Sequence, residues 1–261
     1  MAQAKGAFVS DEVLLERQGR TLIITINRPE ARNAFNLAVA QGLADAVDEL
    51  DDTPELSVAI ITGAGGNFCA GMDLKAFMAG EVPAIEGRGI GFTERPPRKP
   101  LIAAVEGYAL AGGTEIVLAT DLIVAAKNAK FGIPEVKRGL VAAGGGLLRL
   151  QKRIPYQKAL ELALTGDSFT AEEASAWGFV NVLTEPGEAL AGALALAERI
   201  TANGPLAVAV TKEVMTKSAD WTEAEMWKKQ GELVFPVFSS KDAMEGATAF
   251  AEKRKPNWTG T

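Results

Sequence analysis

The sequence predicts an α/β protein whose second half is dominated by helices. In the first half, short runs rich in β-branched residues alternate with segments whose apolar residues recur at helical spacing. From about Pro155 onward the strand signals nearly vanish and helical patterns follow one another. With 261 residues, of which 48% are hydrophobic and 23% charged, the chain is long enough to bury a large core and has the composition of a globular protein.

Five strands are predicted in the first half. Two β-rich runs on either side of a turn at residues 17–20 indicate a hairpin, and an Arg-Pro pair ends its second strand. Three later runs are short and mostly apolar, a pattern typical of strands buried on both faces of a sheet. The five strands cover residues 13–16, 21–26, 58–62, 101–105 and 122–126.

Capping residues mark the expected helix starts. Asn36 is a suitable N-cap for a helix over residues 37–50, in which the apolar positions fall on one face. A helical subdomain is expected to begin near Pro186. The other expected starts are the capping boxes Thr170–Glu173 and Thr222–Glu225 and the first-turn proline Pro205.

One long segment shows neither strand nor helix periodicity. Residues 73–100 are rich in glycine and proline and end in the run Glu-Arg-Pro-Pro-Arg-Lys-Pro. Long connections of this kind run over the surface of most proteins. The segment is therefore expected to be a mobile surface excursion.

The chain contains no histidine. This absence excludes Ser-His-Asp and Cys-His nucleophilic sites, histidine-ligated zinc and a histidine general base. Proton transfer near neutral pH must then fall to carboxylates, Lys, Tyr or the lone cysteine. Acid–base catalysis by carboxylates is the leading expectation.

Charge and cysteine content bear on partners and compartment. The net charge is −6 and the chain has no basic stripe, so nucleic acid is not an expected partner. The single cysteine, Cys69, cannot form an internal disulfide and is expected to be a small buried hydrophobe rather than a nucleophile. Residues 1–10 lack a signal-peptide core, and three acids interrupt the apolar stretch 101–126, so a cytoplasmic protein without a membrane span is predicted.

Two glycine-rich loops follow predicted buried strands. The first, residues 63–71, fits neither nucleotide-binding fingerprint, because Phe68 interrupts one and Met72-Asp73 replaces the Lys-Ser/Thr of the other. The second, residues 111–115, leads into a helix with the Gly112 N–H at its positive end. Each loop is explained equally well by a simple turn after a strand or by a backbone that approaches a ligand with free N–H groups.

Two glutamates follow in apolar sequence. Glu115 begins the helix after the second loop, and Glu135 follows Pro134 at another expected helix start. Taken singly, each is explained by an acid that satisfies backbone N–H groups in the first turn of a helix. Taken together with the two loops, they form a set that can stabilise an oxyanion and move protons on either side of it, since apolar surroundings raise carboxyl pKa values. The set predicts a carbonyl substrate that is enolised at its α-carbon.

A series of motifs runs along almost the whole chain. In order and combination these motifs resemble the enoyl-CoA hydratase/isomerase (crotonase) superfamily. The resemblance implies a spiral of ββα units over residues 1–185 and a helical region over residues 186–261 that drives trimerisation, often as a dimer of trimers. The motifs cover residues 27–34, 61–63, 68–75, 99–109, 112–115, 131–135 and 249–254.

The resemblance also implies a substrate and roles for the site residues. The substrate is an acyl-CoA thioester whose carbonyl oxygen lies between the backbone N–H groups of Met72 and Gly112. Glu115 matches the glutamate credited with activating water for addition at C3, and Glu135 matches the one credited with protonating C2, although both can hold the same water. No metal or redox cofactor is implied, because coenzyme A is part of the substrate.

Further matched positions point to contacts with coenzyme A. One group corresponds to the region of the family that touches the adenosine end of the molecule. A second group corresponds to positions that reach it from a neighbouring subunit. The first group is Ala70, Gly71, Asp73, Leu74 and Lys75, and the second is Phe250 and Lys253.

Both glutamates together favour a hydratase, since isomerases of the family generally keep only the one at the Glu135 position. Three alternatives stay open: a double-bond isomerase, a hydratase of the crotonobetainyl-CoA (carnitinyl-CoA) type, and a non-catalytic acyl-CoA-binding member.

Two departures from the family pattern are a bulky Met72, where many hydratases have alanine, and a segment 141–145 without the usual proline. A hydratase of this family would belong to fatty acid metabolism, as in β-oxidation.

Overall fold

The computed structural model describes residues 11–261, where nine strands form two sheets. Residues 1–10, which the sequence predicts to lack a signal-peptide core, lie outside the described part. The strands are β1 Val13–Gln18, β2 Thr21–Ile26, β3 Val58–Gly63, β4 Leu101–Val105, β5 Tyr108–Leu110, β6 Leu122–Ala126, β7 Lys130–Gly132, β8 Phe169–Thr170 and β9 Val182–Thr184.

The larger sheet has the strand order β1-β2-β3-β4-β6-β9. Strands β1 and β2 form the predicted antiparallel hairpin, and the strands from β2 to β9 are parallel to their neighbours. The smaller sheet has the order β5-β7-β8, in which β5 and β7 are parallel and β8 is antiparallel to β7. The chain thus passes repeatedly between the two sheets.

Helices follow the strand pairs. They are α1 Leu37–Asp52, α2 Leu74–Met78, α3 Gly112–Leu118, α4 Gly146–Arg153, α5 Tyr156–Thr165, α6 Ala171–Ala176, α7 Ala189–Thr201, α8 Pro205–Lys217, α9 Glu223–Phe238 and α10 Lys241–Ala251. The succession β4, β5, α3 is repeated by β6, β7 and α4, with the 3₁₀ helix Pro134–Arg138 inserted before α4. This repetition confirms the ββα spiral that the resemblance implies.

Strands β3, β4 and β6 of the larger sheet are buried on both faces, which explains their uninterrupted apolar sequences. Alternate side chains point to opposite faces, so Ile61 and Ala103 join the main core with α1 and α3, whereas Ile60 and Ile102 face α7. Small side chains at four-residue intervals let α7 pack closely on the sheet. They are Ala189, Ala193 and Ala197.

The predicted helix starts are confirmed. The Asn36 side chain accepts a hydrogen bond from the Val39 N–H at 2.9 Å and caps α1. Both capping boxes form, at the starts of α6 and α9, and Pro205 occupies the first turn of α8. Each capping residue lies within a few positions of the helix that it caps, so the sequence alone reveals these helix starts.

The expectation for residues 73–100 is wrong for part of the segment. Helix α2 begins it, and the side chains of Ile90 and Phe92 are buried in the main core. Gly91 permits this close approach, because its φ is +74° and a Cβ at this position would lie 2.6 Å from the Ala40 carbonyl oxygen. The segment therefore returns into the core instead of remaining at the surface.

Two short strands follow Pro155, where strand signals nearly vanish from the sequence. Strand β8 pairs with β7, and β9 forms the far edge of the larger sheet beside β6. These strands have two and three residues. Such short strands produce no alternating pattern, and pairing with a preformed neighbour is what defines them.

The C-terminal helices differ in how they are covered. Helix α7 packs on the larger sheet, whereas α8 and α9 contain no buried residue within the described structure. The division at residue 186 stays a prediction, and α7 packs with the part of the chain that precedes it. Across residues 11–261, no helix combines the length and the apolar character needed to cross a membrane.

Phe92 tests whether the 73–100 segment belongs to the core. Its side chain is fully buried, so Phe92→Ala should lower the free energy of unfolding by about 3–5 kcal/mol, as measured by urea denaturation. Phe77→Ala is the matched control, since that ring lies in the same segment and is 44% exposed. A similarly small loss for both variants would contradict the assignment of Phe92 to the core.

Candidate active site

The first glycine-rich loop is held from within by Asn33. This side chain is fully buried and donates hydrogen bonds to the carbonyl oxygens of Ala64 and Asn67, at 2.8 and 2.7 Å, while it accepts one from the Arg28 N–H. Asn33 itself has a φ of +56°, in the left-handed region that asparagine tolerates. The sequence analysis includes Asn33 only within a motif, because the two carbonyl groups that it bonds are more than thirty residues away.

A short parallel bridge fixes the end of this loop. Phe35 donates to the Gly71 carbonyl oxygen at 2.9 Å and accepts from the Asp73 N–H at 2.9 Å. In a parallel ladder the residue between two such partners turns its own N–H to the other side. Met72 is that residue, and its N–H donates to no acceptor among residues 11–261.

The second loop presents another free N–H beside the first. Gly112 is the first residue of α3, and its N–H also donates to no acceptor in the described chain. A Cβ on Gly71 would lie 3.8 Å from the Gly112 nitrogen, so the two loops are in contact. Because a Cβ on Gly112 would lie 2.3 Å from the Phe35 ring, only glycine fits here. Both predicted oxyanion donors therefore meet at one place.

The Glu115 carboxyl lies inside the protein and is 3% exposed. Its Oε1 accepts a hydrogen bond from the Gly146 N–H at 2.8 Å, at the start of α4. Burial raises the pKa of Glu115, the hydrogen bonds from Gly146 and Gly144 oppose that rise, and the Glu135 charge adds to it. Glu115 thus satisfies a backbone N–H at a helix start, as the simpler explanation expects, but the helix is α4 and not its own helix α3.

Glu135 lies in the 3₁₀ helix Pro134–Arg138, which ends at Gly139 in the left-handed conformation. Its Oε2 is buried and makes no hydrogen bond within residues 11–261. Burial is the main cause that raises the pKa of Glu135, while a backbone hydrogen bond and the Arg138 charge lower it. A buried carboxyl oxygen without a partner is costly, so this group is poised to bind a proton, a water or a ligand.

Segment 141–145 departs from the family pattern, and its glycines let the backbone approach Glu115. A Cβ on Gly144 would lie 2.7 Å from the Glu115 Oε2, and a Cβ on Gly146 would lie 3.0 Å from its Oε1. Any larger residue at 144 would collide with the carboxylate. The loop thus forms one wall of the site and restricts the positions open to Glu115.

Met72, Gly112 and both glutamates line one cavity of about 400 Å³. Six of the predicted site residues are among its walls: Ala70, Met72, Leu74, Gly112, Glu115 and Glu135. The remaining lining is largely apolar, with charged groups limited to the two glutamates, Glu94 and Arg138 in the described structure. Apolar walls beside a few convergent polar groups are typical of a small-molecule site. The apolar side chains are chiefly Phe35, Phe77, Val82, Ile90, Leu140 and Val141.

The other predicted site residues lie outside the cavity walls. Gly71 shapes the loop, with a φ of +105°, and Lys75 is exposed on α2. Asp73 caps α2 by accepting hydrogen bonds from the Lys75 and Ala76 N–H groups, and together with Arg28 these bonds hold the pKa of Asp73 below its usual range. Phe250 and Lys253 are exposed at the end of α10, so their contacts with coenzyme A stay predictions.

Cys69 lies in the first loop and is fully buried. Burial raises the pKa of its thiol to about 12. A thiol of this kind is uncharged at neutral pH, and only the thiolate is a nucleophile. The prediction that Cys69 is a small buried hydrophobe is confirmed.

Comparison with known proteins agrees with this geometry. The sequence model of the family described as enoyl-CoA hydratase/isomerase matches residues 16–261. The chain is 45% identical over 257 residues to a Mycobacterium tuberculosis protein named enoyl-CoA hydratase EchA19, covering 95% of this chain and 96% of that protein. It is 43% identical over 261 residues to a carnitinyl-CoA dehydratase of Salmonella arizonae, covering 97% and 100% of the two chains.

Solved structures resemble the fold closely. A crystal structure of an enoyl-CoA hydratase from Mycobacterium tuberculosis H37Rv superimposes with a TM-score of 0.95 at 67% identity, over 97% of this chain and 100% of that one. A carnitinyl-CoA hydratase from Mycobacterium avium gives a TM-score of 0.77 at 43% identity over the same shares. These matches confirm the resemblance that the motifs indicate, and the chain belongs to the enoyl-CoA hydratase/isomerase family.

Proposed function

We propose that this protein is an enoyl-CoA hydratase, which adds water reversibly and with syn geometry across the 2,3 double bond of a 2-enoyl-CoA thioester. The observation that carries the proposal is the meeting, on one largely apolar cavity, of two backbone N–H groups without acceptors in residues 11–261, the buried Glu115 and the half-buried Glu135. The names of the relatives support the same activity.

The backbone donors supply the stabilisation of charge. The thioester carbonyl oxygen accepts hydrogen bonds from the Met72 and Gly112 N–H groups. As water adds to C3, the electrons of the double bond move to this oxygen and form an enolate. Donors that are already aligned in a site of low polarity stabilise such a charge strongly, because they need no reorganisation.

The glutamates supply the proton transfers. Glu115, as the carboxylate, removes a proton from the water whose oxygen bonds to C3, and Glu135, as the carboxylic acid, protonates C2. The product is a 3-hydroxyacyl-CoA, and one proton must return from Glu115 to Glu135 before the next turnover. The negative charges of Glu115 and Glu135 repel each other, because two carboxylates in one apolar site resist simultaneous ionisation. This repulsion supports a state in which one of the two is ionised and the other is protonated.

The retention of both glutamates supports a hydratase over an isomerase. Relatives named carnitinyl-CoA dehydratase keep a hydratase of that type as the second candidate. The mainly apolar cavity favours a hydrocarbon acyl chain, as in β-oxidation, over one that carries a quaternary ammonium group. A panel of crotonyl-CoA, longer enoyl-CoA and crotonobetainyl-CoA thioesters discriminates between these substrates by their kcat/KM values.

Coenzyme A and the subunit arrangement complete the proposal. The backbone from Ala70 to Leu74 and the Lys75 ammonium hold the adenosine end of the substrate, and no separate cofactor takes part. Exposed apolar side chains on α9, which line a groove of about 580 Å³ that includes Trp227 and Phe235, support a homotrimer or a dimer of trimers. The single buried cysteine, which lacks an internal disulfide partner, is compatible with a cytoplasmic enzyme.

Replacement of either glutamate by glutamine should abolish most of the activity. Glu115→Gln and Glu135→Gln should each lower kcat for crotonyl-CoA hydration by about 10²–10⁴-fold, because each removes one proton-transfer group. Glu94→Gln is the matched control, since Glu94 lines the same cavity but is exposed. Tolerance of Glu115→Gln with consumption of 3-enoyl-CoA would indicate an isomerase instead, and saturable binding without turnover would indicate a binding protein.

The pH dependence of kcat/KM should be bell-shaped. Burial raises the pKa of both glutamates above the value of about 4.3 for an ordinary glutamate. As the pH falls, the base is therefore protonated at a higher pH than an ordinary glutamate would be, and this protonation gives the acidic limb. The alkaline limb marks the loss of the proton from the acid. Initial rates measured across the pH range test this, and activity that stays constant down to the ordinary glutamate pKa would contradict it.

The intersubunit contacts predict a separate effect on binding. Phe250→Ala and Lys253→Ala should raise KM several-fold while kcat changes little, because both residues would contact coenzyme A and not the reacting atoms. Light scattering should give a mass of three or six chains. A monomeric mass with full activity would contradict the proposed contribution of a neighbouring subunit.

A further inference from the structure

Arg28 is a largely buried arginine that the proposed chemistry does not use. It follows β2, and its side chain is 14% exposed. All three guanidinium nitrogens face acceptors: Nε lies 3.3 Å from the Glu12 Oε1, Nη1 donates to the Ala34 carbonyl oxygen, and Nη2 donates to the Asp73 Oδ2 at 3.0 Å. Each guanidinium nitrogen therefore has one acceptor in the protein.

Two of these acceptors lie on opposite strands of the bridge that orients Met72. Ala34 immediately precedes Phe35 on one strand, and Asp73 immediately follows Met72 on the other. The bridge itself has two hydrogen bonds, both of 2.9 Å, from Phe35 to Gly71 and from Asp73 to Phe35. Arg28 thus contacts both strands of the bridge, at the residue before Phe35 and at the residue after Met72.

We propose that Arg28 is a positioning residue that orients the Met72 N–H toward the substrate carbonyl through its paired contacts with Ala34 and Asp73. The inference rests on the proposed function, in which the Met72 N–H is an oxyanion donor. An oxyanion donor needs an accurate direction, and displacement of a catalytic group by about 1 Å can cost 10²-fold in rate. The two bridge hydrogen bonds and one from the Ala70 N–H to the Arg32 carbonyl oxygen at 3.0 Å join the two segments, and the Arg28 side chain adds contacts to both of them.

The geometry requires arginine specifically. A planar guanidinium reaches acceptors in several directions at once, whereas a lysine ammonium is a point charge on a flexible stem. The base of the side chain is also fixed, because the Arg28 N–H donates to the Asn33 Oδ1 at 2.9 Å and the Arg28 carbonyl accepts from the Asn33 N–H at 2.8 Å. The Arg28 guanidinium therefore has a defined orientation.

A contact with substrate phosphates is the competing explanation for a cation near the first loop. Arg28 is absent from the walls of the cavity, and its nitrogens are occupied by Glu12, Ala34 and Asp73. Lys75, by contrast, is exposed on the neighbouring helix. The structure therefore favours a role for Arg28 in holding the backbone around Met72 over a contact with phosphate. The two explanations differ in whether kcat or KM changes.

Steady-state kinetics of the full-length protein with crotonyl-CoA provide the first test. Arg28→Gln should lower kcat at least tenfold with KM changed less than about twofold, and Arg28→Lys should recover little of the loss. Asp73→Asn keeps the oxygen that caps α2 but removes the negative charge that pairs with Arg28. This variant should therefore also lower kcat. Because both residues act through one contact, the double variant should lose little more than Arg28→Gln alone.

Lys212→Gln is the matched control for general destabilisation. Lys212 is 12% exposed and, like Arg28, bonds one carboxylate and one backbone carbonyl, from Asp121 at 2.6 Å and Lys99 at 2.9 Å. Neither partner lines the cavity. Lys212→Gln should reduce thermal stability to an extent comparable with Arg28→Gln while kcat stays within twofold of the unmodified protein.

The absorbance of a bound 2,4-dienoyl-CoA reports carbonyl polarisation without turnover. Its conjugated thioester should shift to longer wavelength in the unmodified protein, less in Arg28→Gln and fully in Lys212→Gln. A full red shift with unchanged kcat in the Arg28 variants, or a rise in KM alone, would overturn the inference. If Arg28→Gln fails to fold, Arg28→Lys and Asp73→Asn decide it by the same measures. If the unmodified protein hydrates no enoyl-CoA, the proposed function fails, while loss of the red shift in these variants still supports the role of Arg28.

Discussion

Two backbone N–H groups that find no acceptor within residues 11–261 are the feature on which the rest of the site depends. A free N–H inside a protein is costly, so the chain must hold Met72 and Gly112 against the tendency of each to find an internal partner. The Phe35 bridge turns one group away from its own strand, and the start of α3 leaves the other unbonded. Asn33 satisfies the carbonyl groups around the first loop, which leaves these donors available to a ligand.

The glutamate pair follows from a similar balance between burial and hydrogen bonding. Burial raises the pKa of Glu115, and hydrogen bonds from the Gly146 and Gly144 N–H groups oppose that rise by stabilising the charge. Burial raises the pKa of Glu135 as well, and its Oε2 has no hydrogen-bond partner within residues 11–261. One cavity thus places two identical side chains in different surroundings, with Glu115 bonded to the start of α4 and one oxygen of Glu135 open to a ligand.

The predictable features were those encoded in neighbouring residues. Uninterrupted apolar runs predicted β3, β4 and β6, and Asn36 predicted the start of α1, since strand burial and helix capping act over a few positions. Glycine and proline in residues 73–100 predicted a surface loop, and that pattern concealed the burial of Phe92, because one aromatic side chain leaves no periodic signal. The partner of Glu115 lies 31 residues away, and the contacts of Arg28 with Asp73 span 45. Pairings of this kind arise from the tertiary fold, and motif resemblance located the residues without revealing what they contact.

The burial of Cys69 has a consequence for chemical compatibility with the substrate. A conjugated thioester is a soft electrophile at C3, the carbon that a thiolate attacks most readily. Cys69 lies three residues from Met72, yet its thiol is held uncharged and enclosed by the loop. The loop that carries Cys69 can therefore lie beside a conjugated thioester without presenting a thiolate to its C3.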